Sequence, residues 1–251
     1  MGRLFFLLLM YSLINPSASA FDHKHQTWNL VLQNYVNSNS FVDYSGLKQD
    51  QDKLKNYLGQ LESISKEEFN SWTSNERKAF LINAYNAFTI KLILDHYPIN
   101  SIKDIGNIFT SPWKKKFFKL LDGRIKTLDQ IEHDELRNMF EDYRIHAAVN
   151  CASNSCPPLR SKAFTAMDLD EQLDEQMQLW LADRSRNIFA PASNEIKLSM
   201  IFKWYRSDFE TWGEGLNTVI LRYGPPEAAS LLANSANLSH LSYDWQLNDA
   251  K

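Results

Sequence analysis

The distribution of apolar residues along the chain predicts a mainly helical protein. Apolar side chains recur at helical spacing in segments around Trp28–Val36, Leu54–Leu61, Leu128–Phe140 and Leu169–Leu181. A fifth segment, Ala79–Leu94, carries apolar residues in nearly every direction around a helix. We therefore expect this segment to form a central helix that is buried on all sides.

Capping signals mark where two of these helices begin. Thr73 with Glu76, and Thr127 with Gln130, have the spacing of capping boxes, in which two side chains each bond the other residue's backbone amide. The first box predicts the start of the central helix and the second predicts the start of the Leu128–Phe140 helix. Pro98 is expected to stop the central helix.

Strand and turn signals are fewer and shorter. Asp122-Gly123 between two strand-like runs predicts a two-residue hairpin, and an Asn-containing turn near residue 194 predicts a second, small hairpin. The apolar run Ile145–Val149 predicts an interior strand. The fold expected from these elements is α+β: a mainly helical single domain with a buried central helix packed on a small, mostly antiparallel sheet.

Two asparagines interrupt the apolar surface of the central helix. Asn83 and Asn86 lie three residues apart on one face. An unpaired buried amide costs about 1–3 kcal/mol, so both side chains need partners. Either they bind the backbone of a neighbouring loop and fix it, or they contact a substrate.

Glu132 falls near the middle of the apolar stripe of its helix, and His133 falls on the flank of that stripe. A carboxylate that points into a core requires a cation or several hydrogen-bond donors. Arg144 and His146 are the nearest cations in sequence, so we predict that Glu132 pairs with one of them. The alternative is that Glu132 bends out to solvent.

Both cysteines lie in one short stretch, Arg144–Leu159, and three interpretations of them remain open. In the first, Cys151 or Cys156 is a nucleophile, His146 or His133 is its base, and Glu132 or Asn83 orients the imidazole. In the second, Cys151 and Cys156 form a disulfide. In the third, both bind a metal with His146, although the usual Cys-x-x-Cys spacing and a fourth ligand are lacking. Alternation along a regular strand would place His146 and Asn150 on one face and Cys151 on the other, which counts against a simple His–Cys pair.

The first twenty residues have the pattern of a signal peptide. Arg3 precedes an apolar run, and Ala18-Ser19-Ala20 matches the small-x-small cleavage pattern. We predict cleavage after Ala20, a mature domain over residues 21–251, and a periplasmic or secreted location. The alternative is a buried N-terminal helix. Because the apolar run is too short for a permanent membrane span, no stable membrane anchor is expected, and in an oxidising compartment a disulfide becomes more plausible.

Charge and composition limit the classes of molecule that the protein is expected to bind. The chain is 44% hydrophobic and 23% charged, which suits one globular core. Removal of residues 1–20 leaves 26 Lys and Arg against 30 Asp and Glu, a net charge of −4. Nucleic acid usually requires a basic field, so no nucleic-acid partner is expected.

Several motifs in order resemble one family. They are Ala79–Ala87 with Asn83 and Asn86, Leu128–His133, Arg144–Pro157 with both cysteines, Phe202–Phe209 and Tyr243–Trp245. From about Trp28 onward the chain resembles the family named domain of unknown function 547. The resemblance implies an exported bacterial protein with a single α+β domain. A buried central helix followed by strands that carry His is also similar to transglutaminase-like and papain-like cysteine enzymes, which is an analogy of fold. Their nucleophile begins the central helix, whereas here that helix carries Asn83 and no cysteine.

The leading functional hypothesis is a cysteine-dependent hydrolase or acyl transferase. In it, Cys151 attacks an amide or thioester carbonyl, His146 acts as base, and Glu132 and Asn83 position the imidazole. Supporting or substrate-binding roles fall to Asn86, His133, Arg144, Asn150 and Cys156. No metal or other cofactor is expected.

The alternative hypothesis is a non-catalytic periplasmic binding or accessory protein. In that case Cys151 and Cys156 form a structural disulfide, and a pocket holds a small-molecule or peptide ligand. The oligomeric state is left open by either hypothesis.

Overall fold

The computed structural model describes residues 21–107 and 110–251, so the predicted signal peptide lies outside the described residues. Its α-helices are α1 (Gln26–Tyr35), α2 (Tyr44–Gln49), α3 (Asp52–Glu62), α4 (Lys66–Ser71), α5 (Ser74–His96), α6 (Asn138–Phe140), α7 (Ile145–Ala148), α8 (Leu169–Ala182), α9 (Met200–Trp204), α10 (Arg206–Thr211), α11 (Leu216–Tyr223) and α12 (Ala228–Ala233). A π-helix spans Gln130–Arg137, and short 3₁₀ helices span Ile102–Ile105, Pro112–Lys114 and Pro191–Ser193. The strands are β1 (Ile188–Ala190), β2 (Glu195–Leu198) and β3 (Asn237–His240).

Helix α5 is the central element of the fold, as predicted. It begins at the Thr73 capping box, where Thr73 Oγ1 accepts from the Glu76 amide at 3.3 Å and Glu76 Oε2 accepts from the Thr73 amide at 2.8 Å. From Lys78 to Leu94 nearly every side chain is buried. The helix packs against α2, α3 and the π-helix, so its surroundings are helical on several sides.

The apolar side chains form two clusters. The first surrounds α5, and the second joins α8 to α9, α10 and α11, where Trp180 stacks on Phe202 with ring centroids 4.3 Å apart. Ile196 and Leu198 of strand β2 belong to the second cluster. The small sheet therefore lies beside α8, whereas the sequence-based expectation placed it against the central helix.

The sheet is mixed. Strand β2 pairs antiparallel with β1, which confirms the small hairpin, and parallel with β3. Helices α9 to α12 connect β2 to β3 and return the chain in the same direction, as a parallel pair requires. The mainly helical α+β fold is confirmed, while the sheet is not mostly antiparallel.

Two local predictions need correction. Residues Ile145–Ala148 form helix α7, so the predicted interior strand is wrong; three apolar residues and a histidine do not distinguish a strand from a buried helical turn, and alanine favours the helix. The turn at Asp122-Gly123 exists, but Leu120 and Ile125 pair across four turn residues, not two. Leu121, Asp122 and Gly123 all have positive φ there.

The second capping box forms in altered geometry. Thr127 Oγ1 accepts from the Gln130 amide at 3.1 Å, while the Gln130 side chain accepts from the Lys126 amide at 2.9 Å. The helix that follows is the π-helix, whose wider turns occur frequently at functional sites. In the described ranges, no helix combines the length and apolarity that a membrane crossing requires.

Candidate functional site

Asn83 and Asn86 bind backbone, as the first of the two alternatives predicted. Asn83 donates to the Phe164 carbonyl at 2.7 Å and accepts from the Phe164 amide at 3.1 Å. Asn86 donates to the Ala148 carbonyl at 2.9 Å and accepts from the Asn150 amide at 2.8 Å. Asn83 therefore binds the Phe164 backbone and positions that loop, while its predicted role in orienting His146 stays a prediction.

Asn150 connects helix α5 to the loop that carries Cys151 and Cys156, which we call the cysteine loop. Its side chain accepts from the Ala152 amide at 2.8 Å and donates to the Pro157 carbonyl at 2.8 Å. Together with Asn86, this side chain fixes both ends of the loop that carries Cys151 and Cys156. The sequence signal for Asn150 as a supporting residue was therefore informative, although the strand argument behind it was not.

Cys151 and Cys156 form a disulfide, with their Cα atoms 6.1 Å apart. Cys156 is 1% exposed, while Cys151 is partly exposed. The disulfide interpretation is thus confirmed, and Cys151 is not a free nucleophile in this state. The two sulfur atoms of the alternative metal site are bonded to each other, and the described residues hold no cluster of three or more His, Cys, Asp or Glu placed for a metal.

Glu132 is buried, but its partners are phenols and not the predicted cations. Tyr205 donates to Glu132 Oε1 at 2.6 Å, and the phenol of Tyr85 on α5 lies close to the same carboxyl. Burial first, and the charge of Glu132 second, raise the pKa values of Tyr85 and Tyr205 well above the ordinary tyrosine range, so both phenols keep their protons as donors.

His146 pairs with Asp208 of α10. His146 Nε2 lies 2.8 Å from Asp208 Oδ2, and Arg137 contacts the same carboxylate through Nε at 2.7 Å and Nη2 at 2.6 Å. Burial opposes ionisation of Asp208, but the hydrogen bonds from His146 and Arg137 outweigh it and hold the pKa of that carboxyl well below its usual range. A carboxylate only accepts, so His146 Nε2 carries a proton and, in the neutral ring, Nδ1 does not.

Arg144 and His133 occupy different surroundings from those expected. Arg144 binds Asp142, Asp170 and Asp174 and does not pair with Glu132. His133 lies 3.8 Å from Asp129 Oδ1 through Nε2, and its Nδ1 lies 3.3 Å from Arg137 Nη1. His133 therefore borders the His146 network, whereas Arg144 serves a separate ion cluster.

A cavity of about 250 Å³ brings several of these groups together. Of the predicted site residues it is lined by Glu132, His133, His146, Cys151 and Cys156. A larger and more open cleft of about 650 Å³ lies between residues 37–41 and helix α8 and includes none of the predicted residues. We therefore take the smaller cavity as the candidate site.

Four aromatic side chains, Trp113, Trp204, Tyr243 and Trp245, form one wall of the cavity, which we call the aromatic wall. Each ring contacts the next. The ring centroid of Tyr243 lies 4.4 Å from that of Trp245 and 4.8 Å from that of Trp204, and the centroids of Trp113 and Trp245 are 5.7 Å apart. Trp204 is 47% exposed, which is unusual for so large an apolar ring. The π-helix and its first flanking residue supply Asp129, Glu132 and His133 to the same cavity.

Sequence reasoning did not assign Tyr85, Arg137, Tyr205, Asp208 or the aromatic wall to the site. Tyr85 lies in a helix that is apolar on nearly every side, and Trp113 lies far from the cysteine loop in sequence. The mixture of aromatic and charged residues at Phe202–Phe209, with Tyr243–Trp245, was the available signal. The sequence identifies those two segments only as family motifs.

Fold and cavity together define a mainly helical α+β protein with an aromatic pocket built against a disulfide loop. Residues 69–181 match the model of the family described as "Protein of unknown function, DUF547", which identifies this segment of the chain as similar to that family. The match includes Asn83, Glu132, His146 and both cysteines, whereas the Phe202–Phe209 and Tyr243–Trp245 motifs lie outside it. No curated protein and no solved structure significantly matches the chain.

Proposed function

We propose that the protein is a non-catalytic binding protein whose cavity holds a small organic cation or a cationic peptide side chain. The observation that carries the proposal is the aromatic wall, with Trp204 47% exposed at the cavity. Faces of tryptophan and tyrosine rings attract cations, and groups of such rings are used to recognise quaternary and methylated ammonium groups. The disulfide supports one side of this pocket.

Charge and size agree with this class of ligand. Asp129 and Glu132 add acidic groups to the lining. On Trp245 one cation is already in place, since the Lys103 ammonium lies 4.1 Å from the ring centroid. A cavity of about 250 Å³ is smaller than pockets for drug-sized molecules. The ligand portion that enters is therefore a compact group.

Choline and its neutral isostere 3,3-dimethylbutan-1-ol are suitable probes, because they share a shape and differ in charge. We expect isothermal titration calorimetry to show that choline binds at least about fivefold more tightly, a cation–π contribution of roughly 1 kcal/mol. Trp204→Ala should weaken choline binding about tenfold by removing the exposed ring of the wall.

The control for this experiment is Leu221→Ala, which removes a comparably exposed apolar side chain that does not line the cavity. It should leave choline affinity unchanged. Equal binding of the two probes, no binding of choline, or the same affinity in Trp204→Ala and the parent would each contradict the proposal.

A second candidate function, cysteine-dependent acyl transfer, is favoured by one observation. His146 lines the same cavity as Cys151 and is held by Asp208, which leaves Nδ1 of the neutral imidazole as a proton acceptor. The reaction requires reduction of the disulfide first. The Cys151 thiol would then give its proton to His146 Nδ1 and attack a thioester carbonyl. As the carbon–sulfur bond of the thioester breaks, the leaving thiolate would take that proton back from His146, and the acyl group would remain on Cys151 Sγ.

Acetylthiocholine is a test substrate for this second function. After mild reduction and removal of the reductant, intact mass spectrometry should detect one acetyl group on Cys151. The oxidised protein should acquire none, and His146→Gln should slow acetylation about 100-fold. Equal acetylation of the His146→Gln variant and the parent would exclude His146 as the base.

A further inference from the structure

The surroundings of the disulfide are unequal at its two sulfur atoms. The Cys151 amide donates to Cys156 Sγ at 3.0 Å, and the Tyr243 hydroxyl and Ser153 Oγ lie 3.3 and 3.2 Å from the same sulfur. Tyr243 and Ser153 also approach Cys151 Sγ, at 3.2 and 3.4 Å. Only Cys156 Sγ, of the two, receives a backbone amide in addition.

Two groups can donate hydrogen bonds to Cys156 Sγ at the same time, the Cys151 amide and the Tyr243 hydroxyl. Ser153 Oγ donates to the Tyr243 oxygen at 3.0 Å, so the phenol proton of Tyr243 remains free to point at sulfur. Burial raises the pKa of Tyr243 well above its ordinary value, although the Ser153 hydrogen bond and the charge of Arg186 oppose this, so the phenol keeps its proton. A sulfur that carries negative charge would therefore find an amide and a hydroxyl already in place.

A buried cation lies beside the same residue. Arg186, which is ion-paired with Asp183, donates through Nε to the Cys156 carbonyl oxygen and is itself buried. Positive groups and hydrogen-bond donors lower the pKa of a cysteine thiol. In thiol–disulfide exchange, the sulfur whose thiol has the lower pKa leaves faster. The surroundings of Cys156 are those of a leaving group.

Access favours attack at the other sulfur. Cys151 is partly exposed and Cys156 is 1% exposed, and the cavity provides the approach to the bridge. We propose that this disulfide undergoes thiol–disulfide exchange with small thiols or a protein dithiol, with Cys151 Sγ as the attacked atom and Cys156 as the leaving thiolate. This activity is independent of the proposed ligand binding, because it needs no occupant in the cavity.

The exchange is a two-electron reaction in two steps. In the first, an external thiolate forms a bond to Cys151 Sγ while the Cys151–Cys156 bond breaks, and its electron pair leaves on Cys156. In the second, another thiolate attacks the external sulfur of the mixed disulfide and releases the Cys151 thiolate. The protein disulfide is reduced to two thiols, and two thiol molecules are oxidised to one disulfide.

Glutathione is the probe for the first step. The oxidised protein is incubated with millimolar glutathione at pH 7, quenched with acid and alkylated, and the adduct is located by peptide mass spectrometry. We expect the glutathione adduct on Cys151 and the alkyl group on Cys156. An adduct mainly on Cys156, adducts shared equally between the two cysteines, or no reaction would overturn the proposal.

Tyr243→Phe tests the donor argument, since it retains the ring and removes the hydroxyl. The rate of adduct formation should fall at least fivefold, while Tyr35→Phe, which removes a hydroxyl bonded to Asp50 elsewhere, should leave the rate unchanged.

The second readout is the thiolate absorbance of Cys156 in the Cys151→Ser variant as a function of pH. Its midpoint should lie at least one pH unit below the ordinary value of about 8.5 and should rise in Cys151→Ser/Tyr243→Phe. An unshifted midpoint, or equal rates in Tyr243→Phe and the parent, would contradict a stabilised Cys156 thiolate.

Discussion

Replacing Asp142 by Asn is expected to lower the free energy of unfolding by about 3–5 kcal/mol at pH 7. Asp142 is buried between two cations: its Oδ2 accepts from Lys78 Nζ at 2.8 Å, and its carboxylate accepts from the Arg144 side chain at 2.9 and 3.0 Å. Burial opposes ionisation, but Arg144 and Lys78 lower the pKa of Asp142 below its ordinary value. The substitution removes the charge and leaves Lys78 of α5 buried without an anionic partner.

Asp170→Asn provides a matched control for this prediction. Asp170 binds the same Arg144, at 2.8 Å, but its side chain is 69% exposed. A solvent-exposed ion pair contributes about 0–1 kcal/mol, so this variant should remain close to the parent. Urea denaturation of the three proteins gives the comparison. Similar small losses in both variants would mean that the Lys78–Asp142 pair is as well solvated as a surface pair.

The elements that the sequence predicts well are those in which a long pattern agrees with a local signal. Helix α5 has both: a continuous apolar segment and the Thr73 capping box, and it is buried as expected. The strand prediction at Ile145–Ala148 is wrong because three apolar residues and a histidine are too few to show a period. The parallel strand β3 escaped prediction because its partner, β2, lies four helices earlier in the chain.

In the candidate site, too, contacts between residues far apart in sequence could not be predicted. The buried Glu132 does have a hydrogen-bond donor, but the partners predicted for it, Arg144 and His146, are only its neighbours in sequence. The observed donor is Tyr205, beside helix α10, and the phenol of Tyr85 on helix α5 lies close to the same carboxyl. Similarly, His146 finds its carboxylate at Asp208, 62 residues away. Side-chain chemistry predicts that a partner is required, while tertiary contacts decide which residue supplies it.

The sequence left open whether Cys151 is a free nucleophile or part of a disulfide, and the geometry selects the disulfide. Short spacing permitted a disulfide, and the disulfide is present. His146, which was proposed as the base for Cys151, lines the same cavity but is engaged by Asp208. The binding and acyl-transfer hypotheses therefore differ in the oxidation state of one bridge, and the exchange experiment on Cys151 bears on both.

His25 near the start of the described chain is expected to make the fold sensitive to mild acid. His25 is 1% exposed, its Nδ1 shares a hydrogen bond of 2.7 Å with the Tyr57 hydroxyl, and its Nε2 is buried with no partner among the described residues. Burial, with a smaller contribution from His23, lowers the pKa of His25 from 6.5 to about 3, and Asp22 only partly offsets this. The folded protein therefore holds this imidazole neutral.

The direction of the pH effect follows from this shift. Between pH 6.5 and 3 the unfolded chain binds a proton at His25 and the folded protein does not, so acidification favours unfolding. The contribution of His25 to stability is fully present above pH 6.5 and is lost as the pH falls below that value. At pH 4.5 the loss should be about 2–3 kcal/mol, since each pH unit corresponds to about 1.4 kcal/mol.

Urea denaturation of the parent and of His25→Gln at pH 7.5 and 4.5 measures this loss. Glutamine stays neutral at both pH values, so the variant should lose about 2–3 kcal/mol less than the parent on acidification, even if it is less stable at pH 7.5. His23→Gln, the same substitution at a side chain that is 29% exposed, removes only the smaller contribution to the His25 shift and should retain most of the parent's sensitivity. If the parent and His25→Gln lost the same free energy, His25 would have to be protonated in the fold. The contacts of His25 with Phe21 and Tyr57 would then not be enough to exclude solvent from its ring.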